Sequence, residues 1–498
     1  MAFNQIIKGT ILPKVPLKTL FEEDTASGNS KGAGMISPTR LPDTSQYIGA
    51  NTPYIKIAGQ IVTDIQTLTI DETGFIPTVS VTFIDGLGEF AGDYFPKTNL
   101  IMNVYLKSGS EKLKPVRCDF LITSVKSIAP KYSGEKKGVS IGTVYMIKGE
   151  LFIPNIYNNI SKSYSKLNSK EALKKICTEF GLGFAENENS PNDKMTWINT
   201  NMSTLNFIQD IVKHAYQDDD SFFMAFIDKY YYLNYIEVNK QLKAEDLDVT
   251  FLTTANALRS GINQKVKDDA GVNQLEEVTT INYLTTEMEF AGAPNYITEL
   301  NLVSNQGDIL KTQGYKKNIF YYDHLKSTKK PKEKFKDFYM SPLKSADRDQ
   351  NQFLVPEEIS LAENKIKKWM NIDYGNTHIN WQAARLLNSH NLKEIDKIKL
   401  KVTLNNVNFQ VIRGFTVPVY VSIQEAERVL KATQGLDDEP SKNANSADKL
   451  AKQTADAQLS GHYYVSGAKY HYDSLHKNGL YTELFLSRRE WQPSKKTN

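Results

Sequence analysis

Cysteine is nearly absent, with two residues in 498, Cys118 and Cys177. So low a count excludes a disulfide scaffold and argues for a reducing compartment. Cys118 falls in an alternating strand pattern and Cys177 on the apolar face of a helix, so both read as buried thiols. No apolar run approaches the roughly 18–20 residues of a membrane span. The stretch Met1 to Thr10 lacks a charged region followed by the apolar core of a signal peptide. These absences predict a soluble protein made in the cytosol. An excess of one charge is missing too: 60 Lys+Arg against 57 Asp+Glu leave a net +3, no general attraction to nucleic acid or anionic membrane.

Catalytic and metal-binding patterns are also missing. The seven histidines form no His-x-x-x-His pair, and His471 and His476 stand apart in a hairpin. Asp218, Asp219 and Asp220 lack the alternating ligands and glycine of a calcium loop and read as a helix-ending turn. Gly28, Gly32 and Gly34 have no strand leading in and no closing Gly-Lys-Ser/Thr, so they read as linker. Gly181–Leu182–Gly183 follows a helix instead of opening one, and no Gly-x-Ser-x-Gly elbow occurs. The lysine-rich run 326–336 reads as a solvated loop. A carboxylate pair for glycoside hydrolysis is a matter of three-dimensional geometry and is not legible in a sequence. The expectation is no enzyme: no catalytic residues, no cofactor and no metal.

What the chain does have is length, aromatics and alternation. At about 100–200 residues per domain, its length predicts about three or four domains. Its 26 Tyr and 23 Phe favour strands and broad contact surfaces. Residues 1–51 turn Gly/Ser/Thr/Pro-rich after a short apolar start and read as an extended arm or linker.

From Tyr54 the period is two. Val79, Val81 and Phe83 form one face, Met102, Val104 and Leu106 another, then Val116, Cys118, Phe120 and Ile122, and last Val139 to Ile147. Asp85–Gly86, Ser108–Gly109 and Ser133–Gly134 punctuate these runs, which predict an antiparallel barrel or sandwich over 52–150.

Residues 151–245 read as a small α+β domain. Asn168 and Glu171 form a capping box, and Gly181 stops the helix that they open. A second helix starts at Ser203 with Leu205, Ile208, Ile211, Val212 and Ala215 inward. A hairpin joins Phe222–Ile227 to Tyr231–Ile236 through Asp228–Lys229–Tyr230. Tyr230, Tyr231, Tyr232 and Tyr235 make it a dense aromatic patch. Alternation turns half of them to a core and half outward, where a protein interface or a glycan surface would use them.

Strand patterns return at 276–304, helical pieces at 356–370 and 380–390. Ile398, Leu400, Val402 and Leu404 then alternate strictly with Lys397, Lys399, Lys401 and Thr403, a strand with one buried and one wet face. Phe409–Ile412 leads to a turn at Arg413–Gly414 and a strand Val417–Ile423, where Pro418 implies an edge. Residues 424–460 are polar and read as a flexible insertion. A closing hairpin joins Tyr463–Tyr472 to Leu480–Leu486 through Asn478–Gly479. The two β regions carry similar numbers of strands without a clear sequence repeat between them. Residues 246–300 and 392–498 are assigned to the second, and 301–391 to an inserted domain.

The stretch Asn168 to Asn239 carries a family resemblance. Its helix ending at Gly181, Thr196–Trp197–Ile198–Asn199, Ser203 to Ile208 and the aromatic hairpin Ser221 to Ile236 resemble the domain that follows the first barrel in baseplate hub proteins of contractile-tailed bacteriophages. The hub portions of contractile injection systems and type VI spikes share that layout. Gly314–Tyr315–Lys316–Lys317, Arg413–Gly414 to Ser422 and Tyr463 to Trp491 extend the resemblance over most of 52–495.

The resemblance implies an α+β, mainly β fold with two tail-tube-like antiparallel β-barrel domains. It implies a homotrimer that presents six barrels around a channel and joins a hexameric tail tube to a three-fold central spike. Its partners would be the tail tube protein, the spike protein and neighbouring baseplate wedge proteins, with DNA met only by passage. Its place would be the virion tail baseplate, assembled in the host cytoplasm. Lys397, Lys399 and Lys401 are candidates to line the channel. A cell-wall-degrading tail lysin and a glycan- or receptor-binding tail protein are the alternative functions.

Overall fold

The computed structural model describes residues 7–14, 53–57, 60–86, 90, 100–106, 116–128, 142–218, 221–242, 283–286, 295–304, 318–321, 335–339, 365–369, 378, 380–396, 398–407, 409, 411–422, 456, 459–476 and 479–488. Residues 15–52, most of 305–377 and nearly all of the polar stretch 424–460 lie outside them, as do Val139, Ile141, Asp219, Asp220 and Lys397. The first strand, β1 (Lys8–Ile11), corrects the reading of the N-terminus as arm alone: it lies antiparallel on a strand of the α+β region, Lys8 facing Glu186. Ile11 packs against the core and Lys14 N–H donates to the Gly181 carbonyl, which is what holds this short strand in place.

The first β unit comprises β2 (Tyr54–Ile57), β3 (Gln60–Ile61), β4 (Ile65–Asp71), β5 (Thr78–Asp85), β6 (Ile101–Leu106), β7 (Val116–Ile128) and β8 (Thr143–Leu151). Their apolar faces bury Val79, Val81, Phe83, Met102, Val104, Leu106, Val116, Cys118 and Phe120, as the alternation predicts.

The α+β region follows with β9 (Asn159–Leu167), α1 (Ser169–Phe180), β10 (Gly183–Glu186), β11 (Met195–Ser203), α2 (Thr204–Lys213), β12 (Phe223–Ile227), β13 (Tyr232–Glu237) and α3 (Val238–Leu242). Helix α1 has the full capping box: Asn168 Oδ1 accepts from Glu171 N–H at 2.8 Å, and Glu171 accepts from Asn168 N–H at 3.1 Å. Gly181 ends it at φ 70°, a left-handed position where a side chain would be strained. In α2 the buried residues are Thr204, Phe207, Ile208, Ile211 and Val212, while Leu205 is only partly covered. The strands order as β1-β10-β13-β12, beside a separate β9–β11 pair.

The rest is β14 (Leu284–Thr285), β15 (Ile297–Ser304), β16 (Asn318–Tyr321), β17 (Phe335–Tyr339), β18 (Lys365–Trp369), α4 (Trp381–Ile395), β19 (Ile398–Leu404), β20 (Thr416–Tyr420), β21 (Gly461–Asp473) and β22 (Leu480–Ser487). Strand β18 falls where helix is predicted. It pairs parallel with β16 and antiparallel with β17, and that pairing overrides a weak local helical preference. Pro418 sits just before the two residues of β20 that β14 covers, so β20 is covered at Val419 and Tyr420 instead of forming an open edge throughout. Helix α4 closes on the α+β region, where Asn388 Nδ2 donates to the carbonyls of Val212, Lys213 and Ala215 at the end of α2.

The two β units are one large curled sheet of 13 strands, continuous through a β4–β21 pairing. Within it the same path occurs twice. Unit one runs β2-β6-β7-β8-β5-β4, and unit two runs β14-β20-β21-β22-β19-β15, with the strands of each in the same chain order. The registers match as well. Strand β7 has a bulge against β8 between Ile122 and Ser124, and β21 has one against β22 between Val465 and Gly467. Counted outward from these bulges, Val465 takes the place of Ile122, Leu486 of Gly149, Leu400 of Val79 and Leu302 of Ile70. Two strands further on, the count meets a second pair of bulges at equivalent positions, Ile65/Thr67 opposite Phe83 and Ile297/Glu299 opposite Leu404. Bulges are specified features of a sheet, so their coincidence marks one fold used twice. Among the described strands the two paths differ at their outer ends: β2–β6 is antiparallel and β2 also carries β3, whereas β14–β20 is parallel.

Buried carboxyls tune the α+β region. Glu237, which accepts from the backbone N–H groups of Phe222, Asn239 and Lys240, is pushed by burial up to about 7. Burial pushes Asp193 up to about 6. A raised carboxyl binds its proton more tightly folded than unfolded, so its contribution is present at low pH and is lost as pH rises through about 4.5 to 7. Between pH 5 and 7.5 the protein is expected to lose about 2–3 kcal/mol through Glu237. Guanidinium unfolding at both pH values should show that loss, and Glu237→Gln should flatten it. An equal pH slope in the variant would refute the assignment.

Candidate functional site

The joint between the units is built on strand β21. Along one edge β21 carries β22; along the other it carries β20 at Gly461–Tyr464 and then β4 at Lys469–Asp473. The change of partner falls at Gly467, where a Cβ would stand 2.8 Å from Thr73 Cγ2, so the close approach of the Asp71–Thr73 turn requires glycine there. Glu72 N–H donates to the Ala468 carbonyl at 2.9 Å, Lys469 pairs with Asp71 at 3.0 Å, and Thr69 Oγ1 meets His471 Nδ1 at 3.0 Å.

The aromatic hairpin plugs into this joint. Asp228 shapes its turn, accepting from Tyr230 N–H (2.9 Å), Tyr232 N–H (3.0 Å) and Asn234 Nδ2 (2.9 Å), which leaves Tyr231 at φ 64°. Lys229, 0% exposed, is driven into the seam. Its backbone N–H donates to Glu72 Oε1 at 2.7 Å, and its Nζ donates to Glu72 Oε2 at 3.2 Å and to the Tyr470 hydroxyl at 2.7 Å. The Tyr470 hydroxyl donates onward to the Val411 carbonyl at 3.0 Å. The ammonium also lies 4.4 Å from the Tyr470 ring centroid and 5.0 Å from that of Tyr230. Cys118 Sγ donates to the Lys229 carbonyl at 3.1 Å, and burial pushes its thiol well up, so it stays protonated and unreactive. Arg413 closes the seam from the other side, donating to the carbonyls of Glu72 and Gly74 with its guanidinium over the Phe226 ring.

The wet face of the sheet runs uninterrupted across the joint. Thr69 and Asp71, Ser80 and Thr82, Met146 and Lys148, Lys469 and His471, Tyr481 and Glu483, and Lys401 and Thr403 all alternate with buried neighbours. Of the lysines singled out in the sequence, Lys399 and Lys401 are on this face but not bare, and Lys397 lies outside the described residues. Lys401 pairs with Glu483 at 3.0 Å and Lys399 with Asp396 at 3.1 Å. His471, 3.6 Å from Glu483, and Lys401 together hold that carboxyl down at about 2.

The four predicted tyrosines are mostly spent inside the chain. Tyr231 and Tyr235 are buried: the Tyr231 hydroxyl accepts from Asp119 N–H at 3.0 Å, and that of Tyr235 meets Ser169 Oγ at 2.8 Å while its ring stacks on Phe223. Tyr230 is half-buried against the core, and Tyr232 lies over Gly9 and Gly183. Alternation thus sorts the four as predicted, and Tyr230 and Tyr232 alone keep some exposure. His471 stacks on Tyr481 and His476 lies tilted against the same ring, and among the described residues no group of three or more His, Cys, Asp or Glu is placed to hold a metal ion.

Neither a protein-family model nor a curated protein sequence matches the chain. Solved structures do. The chain is similar to phage tail proteins. A tail protein from Neisseria meningitidis MC58 aligns with 88% of this chain and 96% of its own at 10% identity and a TM-score of 0.43. The 43 kDa tail protein of prophage MuSo2 from Shewanella oneidensis aligns with 88% of this chain and 98% of its own, again at 10% identity and 0.43. An E. coli component of the type VI secretion system, itself described as structurally similar to the T4 tail proteins gp27 and gp5, aligns at 10% identity and 0.39, covering 88% of this chain and 79% of its own. No helix among the described residues is long and apolar enough to cross a membrane.

Sequence reasoning reads Lys229 only as a turn residue and overlooks Glu72. The available signal is a lone lysine amid the apolar run Phe222–Ile236. Lys229→Met should cost about 3–5 kcal/mol, because it strands the Glu72 carboxylate in a dry seam. Adding Glu72→Gln should recover at least half. Urea denaturation of the three variants measures this, and a single-variant cost below about 1 kcal/mol would show that the pair is not held dry.

Proposed function

We propose that this chain is the hub subunit of a contractile-tail baseplate: a non-enzymatic homotrimer whose three copies place six near-equal sheet units around a channel. One side then matches a six-fold tail tube and the other a three-fold central spike, and DNA or effectors pass through without being read. The observation that carries this reading is the repeated path β2-β6-β7-β8-β5-β4 and β14-β20-β21-β22-β19-β15, with its coincident bulges. A chain that holds one ring-building unit twice, joined side by side, reaches six-fold spacing with three-fold symmetry. The sequence resemblance to hub proteins points the same way.

The α+β region and the small β16–β17–β18 sheet would then decorate the ring. The N-terminal arm within residues 1–51 and the polar stretch 424–460 would reach baseplate wedge neighbours. On the polar face of the 13-strand sheet, Lys401–Glu483 and Lys469–Asp71 pairs offer water and balanced charge, as a channel lining needs. Virion tail baseplate is the corresponding location.

Light scattering of the purified chain, alone and with a candidate spike protein, is the direct test. A mass of three chains is expected, with six-lobed rings in electron micrographs. A stable monomer or dimer under both conditions would overturn the reading.

A further inference from the structure

The internal joint is a template for a joint between copies. By the matched registers, β15 stands in unit two where β4 stands in unit one, and β7 stands in unit one where β21 stands in unit two. Within the chain, β4 docks on the stretch of β21 beyond β20. Among the described residues the equivalent surfaces are open: β15 pairs only with β19, and on its β6 edge β7 has no partner beyond Ile122, whose N–H donates to the Leu100 carbonyl. These edges expose large apolar side chains among polar ones such as Glu299, Lys126 and Ser127. Leu302 is 56% exposed, Val303 39% and Ile128 45%, whereas Ile70 and Tyr470, the equivalents of Leu302 and Ser127 at the internal joint, are buried.

Strand β15, Ile-Thr-Glu-Leu-Asn-Leu-Val-Ser, has no proline, no lysine and no arginine, the residues by which natural sheets protect an exposed edge. The two open edges lie on different surfaces, so their pairing is head-to-tail and propagates from copy to copy.

We propose that β15 of one copy docks antiparallel on the uncovered half of β7 of a second copy of this chain, in the register of β4 on β21. Asp71, Ile70 and Thr69 face Lys469, Tyr470 and His471. Transferred through the equivalences, Val303 faces Lys126, Leu302 faces Ser127 and Asn301 faces Ile128 of the second copy. The Glu72–Ala468 hydrogen bond makes the neighbouring Asp71–Lys469 pair a non-hydrogen-bonded one, with Cα atoms about 4.5 Å apart and within disulfide reach. Val303 and Lys126 inherit that spacing. The edge pairing stands on the duplicated registers alone, and closure after three copies rests on the hub reading above.

The test is oxidative cross-linking of the full chain. Both substituted positions are at strand edges that the described residues leave uncovered, and circular dichroism checks that the fold is retained. Val303→Cys combined with Lys126→Cys should form intermolecular disulfides at least tenfold faster than Val303→Cys with Ser127→Cys, whose thiol points to the opposite face. Leu302→Lys should raise the concentration needed for assembly at least tenfold without lowering the melting temperature of the unassembled chain. Closed trimers on a non-reducing gel support both the pairing and the ring. Cross-linked dimers and open chains without trimer support the pairing and overturn three-fold closure. A trimer by mass that cross-links no faster at 126 than at 127 overturns the pairing and leaves the hub reading standing. A chain that neither assembles nor cross-links overturns both.

Discussion

A lysine without solvent holds this protein's parts in register. Lys229 sits at the turn of a hairpin in the α+β region, Glu72 just beyond β4, and Tyr470 inside β21. An ammonium in such a place costs several kcal/mol to dehydrate. Here it is met by a carboxylate, a phenol oxygen and two aromatic faces, and the carboxylate is met again by the Lys229 backbone N–H. Shifting β4 by one residue on β21 would leave both charges unpaired in a dry seam. An apolar plug of equal volume would tolerate that slip. The ion pair therefore specifies the joint more than it strengthens it, and everything built on the joint inherits its angle: the continuity of the sheet, the shared wet face and the seating of the α+β region.

Specification matters because the seam joins two strand edges. Backbone hydrogen bonding is indifferent to sequence, and a slip of one residue exchanges the faces of every side chain beyond it. The wet face crosses the seam unbroken because Asp71 and Lys469, and Thr69 and His471, meet as pairs on that face. Gly467 contributes by what it lacks: a Cβ there would crowd the Thr73 methyl, next in the chain to Glu72.

Local elements were legible in the sequence for local reasons. The Asn168–Glu171 box, Gly181 and the strict alternation of β19 each place their own residues, and the structure has them where the pattern puts them. The closing hairpin also holds, with Gly479 at φ 69°. The β4–β21 pairing was not legible, since about 400 residues separate its partners and no side-chain pattern announces which edges meet. The likeness of the two β units was implied by the family resemblance and by their similar strand numbers, but no residue pattern demonstrates it. Buried positions agree in kind, as in Val79 and Leu400, Val81 and Val402, or Phe83 and Leu404, but so would those of any two strands. What identifies the repeat is the bulges, which are backbone events without a fixed residue signature. Glu72 and Lys229 were missed because a charge next to a turn is ordinarily solvated, and tertiary structure alone makes it dry.

On the pairing proposed above, the joint within the chain and the joint between copies would differ in chemistry. The joint within the chain is intramolecular, so it bears none of the association entropy of two free bodies and can use a buried ion pair for register. A joint between chains has to form from separately soluble copies, and an ammonium to be dehydrated on docking would oppose it. The edges in question expose apolar Leu302, Val303 and Ile128, with Ser127 where Tyr470 anchors the internal seam, and their one ammonium among these positions, Lys126, lies on the wet face where it keeps its water. Apolar contact supplies attraction on docking without a desolvation barrier, and strand pairing supplies direction. On the proposed pairing, one fold used twice would have an edge built for fidelity and an edge built for association.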